Sequence, residues 1–325
     1  MIFSIAITGP TASGKTGLSL LLADRLKGEI ISADSMQIYK GMDVGTAKAT
    51  AEERRAIPHH LIDFLPPTEN YSVECYRKEA IAAARDIEAR GKLPILVGGT
   101  GLYVSSLMRA EQVDVPGSDP GYRAEILAGI KDESDVHSLW ERLREVDPES
   151  AEAIHENNVK RVIRALEIYE HTGVTKTELD RRSRLPAPEI FVGMITLDFH
   201  SRETLYSRID QRVDIMMEDG LLSEVRELWY NGMLPDGSTA AQAIGYKEII
   251  AHLKGECTLA ESVDAIKLST RRYAKRQLTW FRHTEGACTI YMDDEQGKIR
   301  DTDNVLDEAL NAVSDLRDRF CVLPG

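Results

Sequence analysis

At 325 residues the chain is long enough for two domains, or for one large α/β domain with an insertion. Its 42% hydrophobic and 29% charged residues exclude disordered and membrane classes, and a net charge of −13 excludes indiscriminate nucleic-acid binding unless cations gather locally. The four cysteines, Cys75, Cys257, Cys288 and Cys321, lie singly without metal-ligand spacing, which predicts free thiols in a reducing cytoplasm.

The apolar start Ile2 to Ile7 has no basic region before it, so it reads as a strand rather than a signal peptide. No later run approaches membrane-span length, and no membrane partner is expected. After Thr8-Gly9 a helical pattern places Leu18, Leu21, Leu22 and Leu26 on one stripe. Glu29 to Ala33 is a second strand closed by Asp34, and Leu93 to Val97 a third closed by Gly98-Gly99. Between them Ser72 is the expected N-cap of a helix from Val73 to about Arg90, and another helix should follow from about Leu102. From Asp114 to Pro188 the chain becomes charge-rich and helix-favouring, bracketed by Pro116, Pro120, Pro186 and Pro188. Ile190 to Phe199 returns to an alternating strand, and Ser201 to Asn231 reads as one long amphipathic helix stopped by Gly232. A basic helix spans 259–283, Thr289 to Met292 is strand-like, and a final helix starts at Asp303.

Strands alternating with helices predict an α/β fold: a parallel sheet core flanked by helices and interrupted by a helical insertion. The expected division is a first core segment over 1–113, the insertion over 114–188, and a return to the core over 189–325.

The octapeptide Gly9, Pro10, Thr11, Ala12, Ser13, Gly14, Lys15 and Thr16 fits the phosphate-loop pattern G-x-x-x-x-G-K-[ST] in its strand-loop-helix setting, so the core is expected to be P-loop NTPase-like. Its glycines let backbone amides turn toward phosphate, and the helix N-terminus adds partial positive charge. Lys15 supplies a point charge, and the Thr16 hydroxyl is the expected Mg²⁺ ligand. Asp34 ends the next strand, where open α/β sheets present ligand-binding groups. With Ser35 and Gln37 it makes a carboxylate and two polar neighbours that suit proton transfer or reading a base edge. No other acidic strand end is expected, since the third strand runs into Gly98-Gly99-Thr100-Gly101. That GGTG run fits either a plain tight turn or a close approach to ligand that leaves the Thr100 hydroxyl near the crevice. Arg123, at the start of the insertion, is a candidate to reach the phosphates.

Residues 271–283 carry basic side chains and no acid. On a helix Arg271, Lys275 and Arg282 share one stripe, and Arg272, Arg276 and His283 the adjacent one. Tyr273, Trp280 and Phe281 are interleaved, which fits base stacking as well as burial in a core. Lys160, Arg161, Arg164, Arg181, Arg182 and Arg184 add positive charge in the insertion.

Together these segments resemble the tRNA dimethylallyltransferase family, also called tRNA isopentenyltransferases, in its compact bacterial form. The resemblance rests on GPTASGKT, ISADSMQIYKGMDVGTAK (31–48), PHHLID (58–63), YSVECYRKEA (71–80), LVGGTGLYV (96–104), KRVIRALEIYEHTG (160–173), QRVDIMMEDGLLSEV (211–225), AIGYKE (243–248) and KRQLTWFR (275–282). It implies transfer of a dimethylallyl group from dimethylallyl diphosphate to N6 of the adenosine 3′ to the anticodon of tRNA. Catalytic roles are then expected for Asp34 as base, and for Thr100 and Arg123, with Mg²⁺ as the cofactor. The same resemblance places RNA against Asp34, Ser35, Met36 and Gln37; Asn157, Asn158, Val159, Lys160 and Arg161; Gln242, Ala243, Ile244, Gly245, Tyr246 and Lys247; and Lys275, Arg276, Gln277, Leu278, Thr279, Trp280, Phe281 and Arg282. The insertion would clasp the anticodon stem-loop of a monomeric, cytoplasmic enzyme. A small-molecule kinase remains open, because a P-loop with Mg²⁺ serves phosphoryl transfer as well, as do prenylation of free adenylates and a purely RNA-binding role.

Overall fold

Strand β1 (Ile2–Thr8) is buried along its whole length, as expected of a central parallel strand covered on both faces. A computed structural model describes residues 1–109, 119–182, 187 and 189–322. The expected insertion limits at 114 and 188, together with Pro116, Pro186, Pro188 and Arg184, lie outside the described residues. Two compact units are found: Met1–Met108 with Pro188–Gly325, and Arg109–Ala187.

The first unit begins with β1, α1 (Lys15–Leu26), β2 (Gly28–Ser32), α2 (Ala51–Ala56), β3 (His59–His60), α3 (Val73–Ala89), β4 (Leu93–Val97) and α4 (Gly101–Met108). The second unit comprises α5 (Pro120–Gly129), α6 (Glu133–Val146), α7 (Pro148–Ala153), α8 (Val159–Thr172) and α9 (Lys176–Arg182). The first unit resumes with β5 (Ile190–Asp198), α10 (Arg202–Glu218), α11 (Leu221–Tyr230), α12 (Tyr246–Leu253), α13 (Leu259–Arg282), β6 (Cys288–Tyr291) and α14 (Thr302–Cys321).

Among the described residues six strands run in the order β3-β2-β4-β1-β5-β6, all parallel. Alternate residues of β1, Phe3, Ile5 and Ile7, join Leu18 and Leu22 of α1 and Val305, Ala309, Val313 and Leu316 of α14 in one core. Leu21, expected on the same stripe, is 38% exposed instead. Ser72 caps α3 by accepting the Cys75 amide.

The single helix expected over 201–231 is two. Gly220 adopts φ +100°, a left-handed conformation that separates α10 from α11. The two-residue strand β3 was too short to leave an alternating pattern. His60 on β3 meets Glu29 of β2 at 2.8 Å, and Arg90 and Lys92 converge on the same buried carboxylate.

In the helical unit, Leu143, Ile154, Val162, Ile163 and Leu166 form the core. Glu167 is fully buried there. It accepts Arg123 Nε (2.9 Å) and Nη2 (2.7 Å), Arg164 Nη1 (2.6 Å) and the Asp119 amide (2.7 Å).

Candidate active site

The phosphate loop forms at the carboxyl end of β1. Gly9 is at φ +140°, and a Cβ there would lie 2.7 Å from the Leu197 carbonyl oxygen of β5, so no other residue fits the turn. Ala12 takes a left-handed φ of +62°, and Gly14 one of +93° just before α1. Arg208 of α10 donates to the Ala12 carbonyl at 2.9 Å, which holds this strained stretch in place.

Lys15 folds back over its own loop, donating to the carbonyls of Gly9 (3.0 Å) and Pro10 (2.7 Å). Burial first, and Arg212 second, lower its pKa to about 7, with Asp34 opposing them. Burial also lowers Arg212, Asp34 raises it, and Arg208 lowers it further. A cavity of about 370 Å³ opens over the loop, lined among others by Lys15, Thr16, Asp34, Arg208, Arg212 and Tyr273. Ser13 Oγ and Arg212 Nε are buried with no hydrogen-bond partner among the described residues. Two orphaned donors and three cations around one hollow are the chemistry of an oxyanion site.

The two arginines were the feature that sequence reasoning missed. They stand four apart on α10, on one helix face. Like charges so placed repel unless an anion joins them, and that spacing in an acidic chain was the available signal.

Asp34 follows β2 and faces the same cavity. Its Oδ1 accepts the Met36 amide at 2.9 Å, which leaves Oδ2 for a ligand. Thr100 Oγ1 accepts the Ser35 amide (3.0 Å), and the Thr100 amide donates to the Ala33 carbonyl (3.1 Å), so Thr100 joins the ends of β4 and β2 behind the carboxylate. Gln37 donates to the Thr46 carbonyl at 3.1 Å and shares the cavity wall. Burial and the nearby Asp34 push the Tyr273 hydroxyl up to about 12.

The glycines of GGTG serve internal packing. A Cβ on Gly98 would lie 2.1 Å from the Ala33 carbonyl oxygen, on Gly99 2.1 Å from Gln277 Nε2, and on Gly101 2.4 Å from the Trp280 ring. Gly98 thus closes on Ala33 just after β2, and Gly99 and Gly101 close on α13, while Gly99 also lines the cavity.

On α13 the expected RNA face is only partly a surface. Lys275, Arg276, Thr279, Trp280 and Arg282 are exposed, whereas Gln277, Leu278 and Phe281 are buried, because α13 packs one side against the unit's interior. Arg276 lies over the Tyr273 ring at 5.5 Å. Arg271 pairs with Asp210 at 2.8 Å, and Arg282 with Asp198 at 2.7 Å. Asp198 is itself an acidic strand end, on β5, so Asp34 is not alone in that position. Its carboxylate is occupied by Arg282 and the Phe199 amide, whereas Asp34 faces the cavity.

Of residues 242–247, Gln242 and Lys247 are exposed and Ile244 is half-buried, while Ala243, Gly245 and Tyr246 are buried. Tyr246 donates to Glu224 at 2.6 Å, and the same carboxylate accepts the amides of Asp43, Val44 and Gly45. That is a structural clamp. In the helical unit Asn157, Asn158, Lys160 and Arg161 are exposed at the start of α8, with Val159 turned toward the core. Arg181 and Arg182 are paired with Glu149 and Glu178. The guanidinium of Arg123, expected at the phosphates, is held in two hydrogen bonds by buried Glu167.

A parallel sheet with a phosphate loop, cations behind it and a carboxylate facing the cavity from the end of β2 define a protein of P-loop-like fold with a site suited to an anion. A family model described as IPP transferase matches residues 37–284, and one described as isopentenyl transferase matches residues 3–63. The chain belongs to the IPP transferase family. It is 48% identical over 291 residues to the tRNA dimethylallyltransferase of Halalkalibacterium halodurans, covering 89% of this chain and 91% of that one. The tRNA dimethylallyltransferase of Bacillus licheniformis is 49% identical, with 86% and 87% covered. A full-length tRNA isopentenylpyrophosphate transferase from Bacillus halodurans, solved by crystallography, superposes with TM-score 0.68 at 41% identity, over 98% of this chain and 99% of that chain. A eukaryotic dimethylallyltransferase acting on tRNA superposes with TM-score 0.79 at 29% identity, over 100% and 81%.

Proposed function

We propose that this transferase moves a dimethylallyl group from dimethylallyl diphosphate to N6 of adenosine 37 in tRNA and releases diphosphate, a reading in keeping with relatives named tRNA dimethylallyltransferase. The observation that supports it is one cavity with the phosphate loop, Lys15, Arg208 and Arg212 gathered about it and Asp34 on its wall. A leaving diphosphate needs the first; an amine acceptor needs the second.

The exocyclic amine of adenine is a weak nucleophile because its lone pair is delocalised into the ring. Asp34 Oδ2 accepts its proton as the N6–C bond forms and the allylic C–O bond breaks. Charge that develops on the departing diphosphate meets the loop amides, Lys15 and the two α10 arginines. Arg208 and Arg212 supply cationic charge at the loop, Arg123 on the helical unit is kept as a further cation for the reaction, and Thr100 positions the Asp34 segment through Ser35.

Among the described residues no group of three or more His, Cys, Asp or Glu forms a metal cage. The donors at the cavity, the Thr16 hydroxyl and one carboxylate, suit a hydrated Mg²⁺ held mainly by substrate phosphate. When bound there, Mg²⁺ neutralises diphosphate charge.

Exposed Lys275, Arg276, Thr279 and Trp280 on α13, and Asn157, Asn158, Lys160 and Arg161 on α8, offer RNA-facing surfaces, and the helical unit would clasp the anticodon stem-loop. No described helix is long and apolar enough to cross a membrane. A cytoplasmic monomer is the reading that fits.

The test is label transfer from radioactive dimethylallyl diphosphate to unmodified tRNA, with AMP and ATP as competing acceptors. Label is expected in tRNA alone; label in the adenylates, or none at all, would overturn the assignment. Asp34→Asn should keep tRNA affinity and lower kcat by roughly 10²–10⁴-fold.

A further inference from the structure

The family resemblance placed Gln277 on the RNA, yet it is 5% exposed. Both ends of its amide are used. Oε1 accepts the Thr11 N–H at 2.9 Å, and Nε2 donates to the Gly99 carbonyl at 3.0 Å. One side chain thus ties the phosphate loop after β1 to the loop after β4 that carries Thr100. Only a primary amide of this length has an acceptor and a donor at one tip: glutamate loses the donation, and methionine keeps the volume and loses both. Gly99 is the matching half, because a Cβ there would sit 2.1 Å from Gln277 Nε2. The Thr11 amide, once taken, is withdrawn from phosphate binding, and the unpaired amides at the start of α1 remain for it.

We infer that Gln277 is a positioning residue for the prenyl transfer: it sets the distance between the loop that grips the diphosphate and the Thr100 loop that seats the Asp34 segment. This rests on the reaction proposed above. Donor and acceptor approach from these two sides, and reacting atoms displaced by about an ångström can cost roughly 10²-fold in rate. Lys275 and Arg276, immediately before Gln277, point outward, so neighbouring positions of α13 divide RNA binding from alignment of the site.

The experiment compares the full chain with Gln277→Met, Gln277→Glu and Gly99→Ala, measuring kcat, KM for each substrate, tRNA Kd and its salt dependence, and melting temperature. Leu316→Ala, a cavity in the α14 core beside Gly193 of β5, serves as the stability control. Gln277→Met should lower kcat by roughly 10²-fold with tRNA Kd and its salt slope unchanged, while Leu316→Ala lowers the melting temperature and leaves kcat intact. Gly99→Ala should reproduce the kcat loss, and the two losses should not multiply in the double variant, because each breaks the same tie. An unchanged kcat in Gln277→Met, or a fall in tRNA affinity as large as the fall in rate, overturns the inference. If the wild-type chain does not prenylate tRNA, the proposed reaction fails on its own. Inorganic diphosphate binding then decides for Gln277: weaker binding by Gln277→Met supports the tie, and equal binding overturns it.

Discussion

Burial and Arg212 hold Lys15, ordinarily at 10.5, at about 7, so near neutrality it is only partly charged. A bound diphosphate restores the charged form and raises that pKa. Binding above pH 7 must therefore take up as much as about one proton per site, and affinity should fall as pH rises through 7 and beyond. Calorimetry in buffers of different ionisation enthalpy measures this, and subtracting the Lys15→Met variant removes the titration of diphosphate itself. Equal proton uptake by wild type and Lys15→Met would show that Lys15 is already charged. The phosphate loop and Asp34 were legible because each is a local signal: a fixed octapeptide, and an acid at the end of an apolar run. Gln277 and Arg208 were not, because what defines them is a partner 178 to 266 residues away, at Ala12, Thr11 or Gly99, and Arg212 was not, because what defines it is the cavity it lines. A linear pattern holds no record of which polar residue on a helix turns inward.

At the scale of elements, the helical unit depends on one carboxylate. Burial would raise the Glu167 pKa, but hydrogen bonds from Arg123, Arg164 and the Asp119 amide outweigh it and bring the value from 4.5 to about 2. A depressed carboxylate contributes stability that is complete above its unfolded pKa and lost as pH falls through the folded one. Hence roughly 3 kcal/mol should disappear between about pH 5 and pH 2. Glu167→Gln should destabilise α5 and α8 by about 2 kcal/mol at pH 7, since Arg123 and Arg164 keep partial access to water. Amide exchange of α8 in the full chain reads this directly, and unchanged protection would show that the pair contributes nothing. Helices with a strong apolar stripe and a cap, such as α3 with Ser72, could be read from sequence. The break between α10 and α11 could not, because hydrophobic periodicity continues across Asp219-Gly220 while the backbone turns left-handed.

Over the whole molecule, acidic residues outnumber basic ones 53 to 40, so RNA must be drawn to local features rather than to the average field. Pairing consumes several of the candidates: Arg271, Arg282, Arg181 and Arg182 each meet a carboxylate. Lys275 and Arg276 remain on the outer side of α13. Arg276→Ala should weaken tRNA binding and reduce its salt slope by about 1, and the same substitution at paired Arg181 should change that slope much less. Equal slopes for the two variants would return the α13 face to solvent. The fold class followed from alternating strands and helices, but the strand order did not, because crossovers leave no mark on composition.

That order has a consequence for how the protein is made. β1 sits between β4 and β5, so one side of it finds its partner only after about a hundred and ninety further residues have been joined. Until then the nascent chain presents Ile2–Thr8 as the edge of a half-sheet, with Phe3, Ile5 and Ile7 apolar on one face and an open row of amides and carbonyls. The phosphate loop waits longer, since Arg208 and Gln277 come later still. Ribosome-bound chains stalled before β5 should recruit chaperones and be rapidly proteolysed, whereas chains that extend through α14 should be protected.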